Sequence, residues 1–166
     1  MSLENLNQQI RSCQKCRLYL GACHAVPGEG PTDAKIMLVG QNPGREEDKV
    51  GKPFVGRAGK FLNKVLAENG FKCEEIFITN IVKHVTPYNR VPCTDEVEAC
   101  APYLAVQIQE IKPKIVVLMG TVAWQAPRVK GAEYFLTYHP SAAMRFSKMR
   151  QKFEEDFKLL RKKLSS

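Results

Sequence analysis

Four short, apolar, β-rich runs recur along the chain, 35–40 (KIMLVG), 76–82 (IFITNIV), 114–120 (KIVVLMG) and 134–138 (YFLTY), and helical patterns lie between and after them. Runs this short and this continuously apolar read as strands covered on both faces. Strands that alternate with helices give one α/β domain, expected to span 1–166, around a largely parallel sheet. A short helix is expected over 3–12. Phe61, Leu62, Val65 and Leu66 then share a helical face, with Lys60 and Lys64 on another, until Asn69-Gly70 stops the turn. Val97, Cys100, Leu104, Ile108 and Ile111 recur every three or four residues behind Thr94, which can cap them, and Asp95 and Glu96 suit the positive end of that helix. A last stripe runs through Phe146, Met149, Phe153, Phe157, Leu160 and Leu164, with five lysines off it, a basic face of the kind that is usually just solvated.

The first run opens into 40–59 (GQNPGREEDKVGKPFVGRAG), which holds five glycines and two prolines. Pro43 and Pro53 should break any helix started between them, so a long loop is expected. A loop of that length in a compact domain usually binds something, although for one loop taken alone a glycine-rich surface connection is the alternative. Ligands of an open α/β sheet sit at the carboxyl ends of the strands, where Gln41, Asn42 and Phe54 would fall. Asn80 interrupts the second run near its end, and a buried amide there needs a partner or a ligand. The stretch 83–94 (KHVTPYNRVPCT), with two prolines, is also expected to be loop.

Lysine and arginine number 25 against 17 aspartates and glutamates, a net charge of +8 that favours a polyanionic partner such as nucleic acid. No apolar run approaches membrane-spanning length and the polar start lacks a signal-peptide core, so the expected setting is the cytoplasm, with no membrane partner. Cys13, Cys16, Cys23, Cys73, Cys93 and Cys100 then suggest metal rather than disulfides. Cys13 and Cys16 (CQKC) can chelate one soft metal, and the spacing alone leaves redox, zinc and iron–sulfur chemistry open.

In order, GQNPG, GKPFVGRAG, ITNIVK, PYNRVP and YHPS resemble the motifs of the iron–sulfur uracil-DNA glycosylases known as family 4, over about 13–145. The resemblance implies a three-layer α/β/α fold with a four-stranded, mainly parallel sheet and a DNA groove across the strand ends. It implies hydrolysis of the bond between uracil and deoxyribose after base flipping, by a monomer acting on single- or double-stranded DNA in the nucleoid, and a four-iron four-sulfur (4Fe-4S) cluster. Asn80 would read the base, its amide oxygen accepting from uracil N3–H and its amide NH2 donating to O4, a pattern that cytosine presents inverted. Phe54 would stack on the base, and His139 would donate as a neutral imidazole to O2, where negative charge gathers. Asn42 would hold the attacking water without being able to deprotonate it. Gln41 would line the pocket, Glu47 would limit space at the base C5 edge and Asn89 would help place water or backbone, with loop hydrogen bonding the alternative for the last two. Arg57, Arg90 and Arg145 would contact phosphates together with Ser141, and Met144 would be the wedge filling the gap left by the flipped base, or else core.

Three departures stand out. The family usually reads GExPG where this chain has Gln41 and Asn42. The cluster set implied by the family is Cys13, Cys16, position 84 and Cys100, and position 84 is histidine rather than cysteine; imidazole binds iron in Rieske centres, zinc fits the same ligands, and Cys93 or Cys23 could supply the fourth thiolate instead. The link from Gly120 to Tyr134 is short for the family. Gln41 and His84 together leave a non-catalytic, metal-bound DNA-binding module of the same fold as the alternative function. A nucleotide-binding α/β protein ranks last, since neither GKS/T nor GxGxxG follows a strand.

Overall fold

β1 (Ile36–Gly40) lies inside the sheet, paired with β2 (Ile76–Asn80) on one side and β3 (Ile115–Met119) on the other, and β4 (Glu133–Thr137) closes the far edge in the order β2-β1-β3-β4. The computed structural model describes residues 1–165. All three pairings are parallel, so each strand is reached by a crossover and all four carboxyl ends lie on one edge. The helices are α1 (Leu3–Arg11), α2 (Arg45–Val50), α3 (Arg57–Glu68), α4 (Thr94–Ile111), α5 (Pro140–Arg145) and α6 (Ser147–Ser165).

Alternation along the strands builds two apolar layers. Met37, Val39, Val116 and Leu118 pack with Cys100, Leu104, Ile108 and Ile111 of α4. Ile36, Leu38, Val117 and Met119 face the other way, onto Leu62, Val65 and Leu66 of α3 and Phe153, Phe157 and Leu160 of α6. The result is the expected three-layer α/β/α arrangement with a four-stranded parallel sheet. Leu104 has no exposed surface, and truncating so buried a leucine to alanine costs about 2–5 kcal/mol. No helix among the described residues is long and apolar enough to cross a membrane.

Several local expectations need correction. The segment 40–59 is not all loop, because α2 forms between the two prolines: Pro43 precedes its first turn and Pro53 follows its end, so neither interrupts an internal hydrogen bond. Cys93, not Thr94, caps α4, and Glu96 reaches back to the Cys93 N–H at 2.8 Å. The 83–94 stretch contains one tight helical turn, Pro87–Asn89. The last stripe is broken at Phe146, which adopts an extended backbone between α5 and α6 and leaves its side chain exposed.

Candidate active site

The register pairs Gly40 of β1 with Asn80 of β2, and this places both at the carboxyl edge beside a cleft of about 610 Å³. Gln41, Asn42, Glu47, Phe54, Asn80, Asn89 and His139, all expected at the site from the sequence, line that cleft, as do Arg57, Ser141 and Arg145. Arg90 and Met144 do not. Arg90 forks onto Glu96, Nη1 to Oε1 at 2.8 Å and Nη2 to Oε2 at 2.9 Å, which commits the guanidinium expected on phosphate to a buried carboxylate. Met144 is half-buried on α5, and the exposed apolar side chain at the cleft from that stretch is Phe146.

Phe54 owes its position to two glycines. Its backbone is left-handed, at φ 51°, a conformation that non-glycine residues rarely hold unless their surroundings impose it. A Cβ on Gly59 would collide with the Phe54 carbonyl, and one on Gly40 would come within 2.5 Å of both Phe54 Cζ and Asn80 Oδ1. Close backbone approach at these positions lets the ring lie next to the Asn80 amide. Glu47 fixes the rest of the loop: its carboxylate accepts from the backbone N–H groups of Gly44 (3.0 Å), Val55 (2.8 Å) and Gly56 (2.7 Å).

Asn80 is 2 % exposed, and its Oδ1 is the one buried side-chain nitrogen or oxygen without a hydrogen-bond partner among the described residues. An unpaired buried acceptor costs about 1–3 kcal/mol, so it marks a place where a donor is meant to arrive. The backbone carbonyl of Asn80 is anchored from below by Lys83, whose Nζ also donates to Thr79 Oγ1 (2.8 Å) and Gln107 Oε1 (2.8 Å). Burial pushes the pKa of Lys83 down to about 7, while its three acceptors match the three hydrogens of an ammonium. Sequence reading missed Lys83. The signal was there in two polar residues at apolar positions, Thr79 within a buried strand and Gln107 between Leu104 and Ile108 on the inner stripe of α4.

His139 follows β4 and caps α5, its Nδ1 accepting the Ser141 N–H at 3.0 Å. That bond leaves the ring proton on Nε2, a neutral donor. Burial pushes the His139 pKa down to about 4, and its ring stacks at 6.0 Å from that of Phe54, centroid to centroid. Asn42 is held on both sides: its Oδ1 accepts from Gln41 Nε2 at 2.9 Å, and its Nδ2 donates to the Pro43 carbonyl at 2.8 Å and to Asn89 Oδ1 at 3.3 Å. A carbonyl oxygen has two lone pairs, so Oδ1 keeps one acceptor site free for water.

The thiol-bearing side is less finished. Burial pushes the Cys16 and Cys100 thiols up; Cys13 raises Cys16 further, and Cys16 and Cys13 both raise Cys100, which puts Cys100 within electrostatic reach of the pair. His84 is buried, its pKa lowered by that burial, and it lines a second cleft of about 750 Å³ with Cys13, Cys23 and His24. Among the described residues no three of the His, Cys, Asp and Glu side chains are gathered closely enough to hold a metal ion. Cys93 is exposed at the start of α4, with its sulfur 3.5 Å from Arg90 Nη1.

Comparison with known proteins shows the family. Residues 27–164 match the family model described as the Uracil DNA glycosylase superfamily. The chain is 42% identical to a type-4 uracil-DNA glycosylase of Sulfurisphaera tokodaii, over 96% of this chain and 84% of that one. It is 40% identical to one from Saccharolobus solfataricus, with 99% and 88% covered, and 38% identical to one from Archaeoglobus fulgidus, with 95% and 90% covered. A cleft at the strand ends, floored by an unpaired amide oxygen and walled by a strained phenylalanine and a neutral histidine, thus occurs in a chain that belongs to the uracil-DNA glycosylase superfamily, in its type-4 branch.

Proposed function

We propose that the protein is a base-excision repair glycosylase that hydrolyses the N-glycosidic bond of uracil in DNA. The observation that carries this reading is the unpartnered Asn80 Oδ1 on the cleft floor, an acceptor aimed where uracil N3–H would lie while the Asn80 NH2 meets O4. Cytosine would set acceptor against acceptor and donor against donor, and sites built to match one pattern reject the other strongly. The extruded base slides against Phe54. As the bond breaks, negative charge collects on uracil O2, and the neutral His139 Nε2–H stabilises it by donating without a competing proton loss. Asn42, fixed by Gln41 and Asn89, offers its remaining lone pair to the attacking water, and Arg57, Arg145 and Ser141 at the cleft take the flanking phosphates.

Cys13, Cys16, Cys100 and His84 would hold a 4Fe-4S cluster. Three thiols with Cys100 within electrostatic reach of the Cys13–Cys16 pair, and an imidazole that burial keeps neutral, are the donor types such a cluster would take, and zinc would take the same set. When bound, the cluster supplies metal–ligand bonds that tie the segment after α1 to α4, and no step at the base runs through it. The deciding experiment is a panel of uracil, hypoxanthine, xanthine and thymine oligonucleotides, single- and double-stranded. Uracil release should lead the panel. Absence of uracil release under every condition overturns the reading.

A further inference from the structure

We propose that Tyr88 is a DNA-stacking residue that lays its ring on a base flanking the extruded nucleotide, a role that rests on the glycosylase reading above. Tyr88 is the most exposed large apolar side chain, at 104 % of its reference surface. Its backbone is left-handed (φ 55°, ψ 23°), and so is that of the next residue, Asn89 (φ 55°). Two consecutive non-glycine residues in that region persist only where the surroundings over-determine them.

Here the surroundings do so without touching the ring. The Asn89 N–H donates to the Thr86 carbonyl at 3.0 Å, and Thr86 Oγ1 donates to the Arg90 carbonyl at 2.6 Å. Asn89 Oδ1 accepts from Asn42 at the cleft, and the Arg90 fork on buried Glu96 secures the other side. A clamped turn therefore displays a bare aromatic ring one residue from the active cleft. Such a ring has few torsions to lose on binding, and base–aromatic stacking tolerates any sequence because every base has a π-face. The protein's net charge of +8, with Arg57 and Arg145 at the same cleft, selects a polyanion as the occupant.

The test compares uracil release by the wild type, Tyr88→Ala, Tyr88→Phe and Leu159→Ala, the last a half-exposed apolar residue on α6, together with fluorescence of Tyr88→Trp titrated with abasic-site duplex against the wild-type signal of Trp124. Expected are a rise in KM of about tenfold for Tyr88→Ala, recovery in Tyr88→Phe, no rise for Leu159→Ala, and quenching of the introduced indole by the duplex. An unmoved KM with no quenching overturns the proposal while leaving the glycosylase reading intact. Tyr88→Phe behaving like Tyr88→Ala overturns stacking in favour of a hydroxyl–phosphate contact. Self-association of the wild type that Tyr88→Ala abolishes, without quenching by DNA, overturns it in favour of a contact between copies through Tyr88 and Val91. Quenching in a protein that releases no uracil upholds stacking and removes the glycosylase reading.

Discussion

The cleft and the thiol-bearing side differ in how far the chain finishes each by itself. At the cleft the groups that shape the loop are already tied: Glu47 staples three backbone N–H groups, Asn42 is held by Gln41 and Asn89, and His139 has its tautomer set by Ser141. One buried atom, Asn80 Oδ1, is left without a partner among the described residues. On the other side Cys100 senses Cys13 and Cys16, yet no three ligands converge among the described residues. Hydrogen bonds within the chain can preorganise a base pocket before any base arrives. A metal site takes much of its geometry from the metal–ligand bonds, which form only with deprotonated thiols and the metal present.

The comparison breaks if the two sides fail in the same way when cut. His139→Ala removes a donor that matters chiefly in the transition state, so single-turnover uracil release should slow about 10²–10³-fold, while the melting temperature falls only by the few degrees that losing the α5 cap costs. Cys100→Ala should do the reverse: iron and sulfide content fall and the melting temperature drops, while the rate per folded molecule is largely kept. Both variants losing the same amount of Tm would mean that the cleft is no more self-sufficient than the thiol side.

Much of this division was readable beforehand. All four strands and the apolar faces of α3 and α4 follow from the sequence, because continuous apolar runs and three-to-four spacing leave a direct trace in the chain, and most of the cleft residues expected from the family motifs do line one cleft. What was not readable depends on three-dimensional pairing. Nothing in PYNRVP shows that Arg90 meets Glu96 rather than phosphate, since that choice is made by the cap of α4. Helix α2 was hidden because prolines that flank a helix look, in a string of letters, like prolines that break one. Lys83 was hidden because a lysine ending an apolar run reads as an exit to solvent, and only Thr79, the Asn80 carbonyl and Gln107 together make its burial tolerable.

A smaller effect sharpens the comparison at the joint between the two sides. Glu96 is fully buried and takes hydrogen bonds from Arg90, which follows Asn89 of the cleft, and from Arg17 Nε at 3.1 Å, which follows Cys16. The Arg90 hydrogen bonds, against the cost of burial, hold its carboxyl at about 2, below the roughly 4.3 of a free glutamate. The folded state therefore keeps this group ionised longer than the unfolded state does, and its stabilisation is complete above about pH 4.3 and is lost as the pH falls toward 2. Both arginines reach solvent, which trims the value, and Glu96→Gln should cost about 2–3 kcal/mol at pH 7. Melting curves at pH 7 and pH 3 should show the gap between variant and wild type shrinking at the lower pH; a constant gap would deny Glu96 its role as the charged tie.

The smallest expected effect is a change in rate that does not occur. A histidine titrating near 6.5 would lose its neutral form about 25-fold between pH 7 and pH 5, and a reaction needing the neutral donor would slow in proportion. His139 is held near 4 by burial, so its Nε2–H should stay a neutral donor throughout that range, and single-turnover uracil release should change less than twofold before declining near pH 4. Stability answers to the same shift with a definite sign: below about 6.5 the unfolded chain takes up a proton that the folded one refuses, so the melting temperature should fall between pH 6.5 and 4 while the rate stays level. The divergence of these two curves is the signature of a cleft that fixes its donor's protonation before substrate enters. A rate that falls with a midpoint near 6.5 would show instead that the imidazole is open to solvent and titrates like any surface histidine, and the cleft would then be as unfinished as the thiol side.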